Sequence, residues 1–127
     1  MLAGYQIKRG ASLTDLPREV REGARIDTRK HTKHCLRPLA DMAARFQGNV
    51  SDATWEEFAD AYRELVEHRF SEDRSPFDEL AERARTETVF IGCSCPTAKD
   101  PDVRHCHTFL ALGFMKSKYP DLEVALH

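Results

Sequence analysis

Two groups of residues in this chain have types and spacing that could do chemistry. The first is Cys93-Ser94-Cys95-Pro96, closed by His105-Cys106-His107, which together hold three of the four cysteines and two of the six histidines. Thiolate sulfur and imidazole nitrogen are the donors that zinc and other borderline-soft ions prefer, so Cys93, Cys95, Cys106 and His107 form a candidate tetrahedral set. The spacing C-x-C-x10-C-H is not the double C-x-x-C of structural zinc modules. Cys106 and His107 are also adjacent, which makes it hard for both to reach one ion from a helical start. The plain alternative is that Cys93 and Cys95 point alternately into core and cleft as small apolar residues.

The same segment could do covalent or binding chemistry. Cys106 opens an amphipathic stretch and is flanked by two histidines; a helix N-terminus and nearby positive charge lower a thiol pKa. A nucleophile beside a base is what covalent catalysis requires, which makes Cys106, His107, Asp27 and Arg29 the candidate catalytic group. Alternatively, the free N–H groups at that helix start, with Arg29 alongside, form a metal-free pocket for a phosphorylated or nucleotide-like small ligand. No G-x-G-x-x-G or Walker loop specifies a nucleotide. The last alternative is a non-catalytic interaction module whose Cys-His pair only shapes a strand–helix turn. The sequence leaves enzyme or non-enzyme open.

The second group is Asp27, Arg29, His31, His34 and Cys35. Asp27 and Arg29 could equally be a structural ion pair. Whether His31, His34 and Cys35 join the first group depends on the elements that carry both loops. Thr88 to Ile91 is an apolar β-branched run ending in Gly92, a strand too apolar on both sides for a sheet edge. Gly4 to Lys8 and Ala24 to Thr28 read as shorter strands, and Leu122 to Leu126 as a closing one. Ser12 to Glu22 reads as one short helix ending at Gly23. Leu36, Leu39, Ala40, Ala43 and Phe46 keep helical spacing up to Gly48.

Trp55, Phe58, Ala59, Tyr62, Leu65 and Val66 mark the clearest helix, their spacing reading as core rather than a binding stripe. Ser51, Asp52 and Thr54 offer caps, Thr54 having Glu57 at the capping-box distance. Ser75-Pro76 starts a further helix with Phe77, Leu80, Ala81 and Ala84 as its buried stripe. Cys106 to Lys118 is the last. The order β-α-β-α-α-α-β-α-β predicts an α/β fold, a small mainly parallel sheet of about four strands with helices on both faces. Ligands of such sheets sit outside the carboxyl ends of the strands, where the loops after Thr28 and Gly92 would both lie. All four cysteines and four of the six histidines fall in those two loops.

The totals narrow the class. At 127 residues the chain fits a single domain, 1–127, able to bury about two-thirds of its unfolded surface without staples. The net charge is −2 and no basic run exceeds two residues, which argues against a nucleic-acid binder. No apolar run approaches a membrane span and no signal-peptide core opens the chain, so a cytoplasmic protein with thiols or metal ligands rather than disulfides is expected.

Several segments resemble one known family in the same order. The run Gly23-Ala24-Arg25-Ile26-Asp27-Thr28-Arg29 resembles the Asp-x-Arg strand end of the domain-of-unknown-function family 488. Trp55-Glu56-Glu57-Phe58, followed by Tyr62, resembles its W-E-E-F helix, and Leu80-Ala81 with Cys93-Ser94-Cys95 and Cys106-His107 resembles its C-x-C…C-H segment. The resemblance implies a small α/β fold and a site combining the Asp27, Arg29 pair with the Cys106, His107 pair, and it implies no particular reaction. Thr108 stands where that family commonly has arginine after Cys-His, so an anion-binding role drawn from that arginine does not carry over. Another small family with a C-x-C-x-P…C-H end resembles the last third alone. The reading reached from the residues is a Cys/His site at the carboxyl edge of the sheet, binding a transition metal, zinc before others.

Overall fold

The computed structural model describes residues 1–8, 10, 12–94 and 105–125. Three parallel strands form the sheet: β1 (Leu2–Gln6), β2 (Ala24–Asp27) and β3 (Val89–Cys93), in the order β1-β3-β2. The most apolar strand therefore takes the central place. Every residue of β3 is buried, as its lack of alternation requires. Leu2 pairs with Val89 and Gln6 with Cys93 on one side; Ala24 pairs with Val89 and Asp27 with Gly92 on the other.

Among the described residues the fold is thus α/β with a parallel sheet of three strands rather than about four. The segment read as a closing strand reduces to a single parallel bridge between Val124 and Leu2, with Leu2 N donating to Glu123 O and Ala125 N to Leu2 O. Leu126 lies outside the described residues. β1 begins two residues earlier than its alternation suggested. Leu2 is fully buried on the large core, while Ala3, Tyr5 and Phe90 belong to the opposite face.

Helices cover the two faces very unequally. On one side lie α2 (Ala40–Gly48), α3 (Asp52–Glu72), α4 (Ser75–Thr86) and α5 (His107–Lys118), packed with Leu2, Val89 and Ile91 into one core. On the other, Val20 of the five-residue α1 (Arg18–Glu22) packs with Ala3 and Phe90 in a much smaller cluster. The single helix expected over 12–22 is split at Pro17 into a 3-10 turn, Leu13–Asp15, and α1, because proline lacks the N–H a continuing helix needs.

Local chemistry sets the other boundaries. α2 starts at Ala40 rather than near Leu36, since the residue before Pro38 is pushed out of helical geometry. The carbonyls so released are taken up from α3: Leu36 O accepts from Tyr62 Oη at 2.6 Å, and Arg37 O from Arg69 Nη1 at 2.6 Å. Of the candidate caps, Ser51 is the one that caps α3, three residues before Thr54. Thr54 N donates to Ser51 Oγ at 3.1 Å, and Ser51 N to Thr54 Oγ1 at 2.9 Å. Pro76 sits in the first turn of α4 as expected.

Candidate functional site

Because all three strands are parallel, their carboxyl ends, Gln6, Asp27 and Cys93, lie on one edge, and the N-terminus of α5 comes back to that edge. A cavity of about 480 Å³ opens there, a size typical of small-molecule sites. Arg29, Lys30 and His31 contribute to its lining from the loop after β2, Phe46 from α2, and Trp55 and Phe58 from the first two turns of α3. Cys93, His105, Cys106 and His107 also line it.

Cys93, Cys106 and His107 present ligand atoms that all lie within 4.8 Å of one another, and all three residues are buried. Alternation along β3 decides the position of Cys93. It shares the face of Val89 and Ile91, which turns to the large core and α5, whereas Phe90 and Gly92 face the other way. The adjacency of Cys106 and His107 proves to be no obstacle. Cys106 is the N-cap of α5 in extended geometry, φ −146° and ψ 142°, and His107 is the first helical residue. The change of backbone direction between them lets both side chains converge on Cys93.

Thr28, immediately past β2, holds the imidazole. It is fully buried, its Oγ1 lies 2.9 Å from His107 Nε2, and it donates to Gly92 O at 3.0 Å. Its N–H also donates to Gly92 O, at 3.1 Å. When the hydroxyl proton goes to the carbonyl, Oγ1 accepts from His107 Nε2–H, and Nδ1 is the ring nitrogen left with a lone pair. Tyr62, fully buried, places its ring 6.0 Å from that of His107. Cys106 Sγ is 3.0 Å from Thr108 Oγ1.

Asp27 and Arg29 form a closed pair at the end of β2. Arg29 donates from its backbone N to Asp27 Oδ1 at 2.9 Å, from Nε at 3.0 and 3.1 Å to Oδ1 and Oδ2, and from Nη2 to Oδ2 at 2.8 Å. The Arg29 side chain holds the Asp27 carboxyl below its ordinary range, and Asp27 in turn raises Arg29. His31 Nε2 stands 3.6 Å from Asp27 Oδ2. Arg29 lines the cavity and Asp27 braces it from behind.

His34 and Cys35 do not join the three-residue cluster. His34 Nδ1 accepts from Leu36 N at 3.1 Å, which places its proton on Nε2, and burial together with the neighbouring His107 lowers its pKa. Burial pushes the Cys35 thiol up to about 11. Both belong to the loop clamped by Arg69, whose Nη1 donates to Cys35 O at 2.9 Å. Cys95, expected as a ligand, lies outside the described residues.

Two features escape a reading by residue type. Thr28 is a polar residue at a strand end; only its place beside Arg29 at the carboxyl edge could have marked it. Trp55 and Phe58, read as core, line the cavity. Phe58 is buried in the core together with Tyr62 and Val66, and the half-buried Trp55 packs against it, but these first turns of the helix also reach the sheet edge. Trp55 stacks on His105, ring centroids 4.8 Å apart at 25°, and meets Phe46 edge-on at 5.5 Å.

Among the described residues no helix is long and apolar enough to cross a membrane. Compared with known protein families, curated proteins and solved structures, the chain matches none of them.

Proposed function

We propose that this chain binds a transition metal, zinc before others, through Cys93, Cys106 and His107. The observation that carries the reading is the convergence of two thiols and an imidazole, from the end of β3 and the start of α5, within 4.8 Å at a buried place that borders a cavity. A tetrahedral ion with bonds of about 2.0–2.3 Å sets its ligand atoms roughly 3.3–3.8 Å apart, a spacing inside the 4.8 Å within which these three lie. Thr28 completes the fit. With Nδ1 turned to the ion, Nε2–H donates to Thr28 Oγ1 and the Thr28 hydroxyl to Gly92 O, the outer hydrogen bonding that orients metal-bound imidazoles.

Among the described residues three donors converge beside the cavity; a fourth from Cys95 would close the site, and without it one position would face the cavity, as in reactive zinc sites. An ion there would act as a Lewis acid on an oxygen presented from the cavity. Cys95 belongs to the expected donor set, and the reading stands on the three residues without it. The resemblance to the domain-of-unknown-function family 488 is retained in this reading, since it joins the Asp27, Arg29 pair to the Cys106, His107 pair in one site.

Elemental analysis of protein purified without chelator tests the proposal. About one equivalent of metal is expected, reduced in Cys93→Ser and in His107→Ala. Content well below one equivalent, unchanged on reconstitution, sinks it. A second reading, a reactive Cys106 without metal, draws on its N-cap position and the Thr108 hydroxyl 3.0 Å from its sulfur. The two part on one measurement. A metal shields Cys106 from alkylation at neutral pH until a chelator is added, whereas a catalytic thiol reacts equally with and without chelator.

A further inference from the structure

The cavity has walls that the metal reading does not use. One is aromatic: Phe46 and Trp55, with Phe58 behind, form a cluster of rings with His105. Another is cationic: Arg29 and Lys30, with His31 beside them. Among the described lining residues there is no aspartate or glutamate. Asp27 takes the Nε and Nη2 of Arg29, which fixes the guanidinium and leaves Nη1 for a further acceptor.

We propose that this cavity binds a small organic anion carrying a planar aromatic ring, the ring against the cluster of Phe46, Trp55 and the His105 stacked on it, and the anionic group at Arg29 and Lys30. A nucleoside monophosphate and a simple aromatic carboxylate share this chemistry. A flat, polarisable wall favours a planar ring by stacking, which is indifferent to the ring's substituents. A fixed guanidinium at the rim favours a carboxylate or phosphate, which accepts from it in its own plane. The volume, about 480 Å³, suits a ligand of that size. The inference stands on the walls and not on Cys93, Cys106 and His107, so it does not require a bound metal.

Trp55 is the sole tryptophan of the chain, so its emission reports on occupancy of the wall it forms. Adenosine monophosphate, uridine monophosphate and benzoate are titrated into the whole chain, with adenosine and inorganic phosphate as controls. Both chelator-treated and zinc-loaded protein are used. At least one aromatic anion is expected to give a saturable one-to-one change in emission in both forms. Adenosine should bind at least about tenfold more weakly than adenosine monophosphate if the nucleotide is the ligand, and phosphate alone should leave the emission unchanged.

Which anion responds separates nucleotide from simple acid. Lys30 is exposed, so Lys30→Glu should fold normally, checked by thermal melting, and weaken binding about tenfold or more. The proposal is overturned by any of three results. One is the absence of a saturable response to all three anions up to about 5 mM, weaker than any useful pocket. Another is an affinity unchanged in Lys30→Glu and in Arg29→Met. The last is binding confined to zinc-loaded protein, which would place the anion on the metal rather than on the two cations.

Discussion

At the scale of single residues, the side chain that decides most at the cluster is a hydroxyl rather than a ligand. Thr28 is isosteric with valine, and its backbone N–H to Gly92 O survives the exchange. Thr28→Val therefore removes the partner of His107 Nε2 together with the side-chain hydrogen bond to Gly92 O. If His107 holds a metal, affinity should fall about 10–100-fold, as for other outer-shell partners, read by competition with a chromophoric chelator. Stability of the metal-free chain should fall by about 1–2 kcal/mol, because a buried ring nitrogen loses its hydrogen bond. An unchanged affinity with lowered stability would reduce Thr28 to a packing role. Cys35 offers the opposite test, of a thiol that should do nothing. With its pKa near 11, only about one molecule in a thousand carries the thiolate at pH 8. Iodoacetamide should leave Cys35 unmodified in the folded protein and modify it after denaturation, as peptide mass mapping would show.

At the scale of elements, two strand ends carry the site, and each makes a prediction. Past the end of β2, the Asp27 carboxylate both accepts the Arg29 backbone N–H and grips its side chain, so it shapes the loop as well as pairing a charge. Its pKa is lowered on folding, chiefly by the Arg29 side chain. The stability it supplies is then complete above the ordinary value of 3.8 and is lost as pH falls through the lower folded value. Asp27→Asn should cost about 1 kcal/mol at neutral pH, a modest figure because both partners are about one-third exposed. In urea melts that difference should shrink as pH falls below about 4. In β3, a Cβ on Gly92 would sit 2.6 Å from Tyr5 Cε1 and 2.7 Å from Ile7 Cδ1. Gly92→Ala should destabilise by about 1–3 kcal/mol and shift the neighbouring Cys93, seen in the same melts and in metal affinity.

Much of this was legible beforehand where one local signal dominates. The periodic stripe of α3, the Ser75-Pro76 start of α4 and the unbroken apolar run of β3 each name their element. The boundary of α2 was not, because Leu36 has helical spacing yet is held by Tyr62, 26 positions away. Nor was the loss of a fourth strand, since a bridge and a strand differ only in how far pairing propagates. At the site, the convergence of Cys93 with Cys106 and His107 follows from the parallel order. The inclusion of Trp55 and the exclusion of Cys35 depend on which turn of α3 lies at the sheet edge, which periodicity alone leaves open.

For the whole molecule, the cluster joins the central strand to α5 at the carboxyl edge of the sheet. Cys93 ends the central strand, Cys106 and His107 begin α5, and Thr28 ties them to the strand on the far side of β3. Among the described residues the opposite face of the sheet has only α1 and a small cluster around Phe90, so their packing against the strands is concentrated on one side. A metal held by Cys93, Cys106 and His107 would cross-link β3 to α5, and it would bind the folded chain far better than the unfolded one. Mass action then sets the gain: at a free metal concentration 100 times Kd, about 2.7 kcal/mol. For a chain of this length that is roughly 10 °C in Tm. Stripping with a chelator should therefore lower Tm by about that amount, and zinc should restore it. Both shifts should vanish in Cys93→Ser and shrink in Thr28→Val. A Tm indifferent to chelator in the parent chain would leave the three buried groups as core, and the cavity above them would then owe its chemistry to Arg29, Lys30 and Trp55 alone.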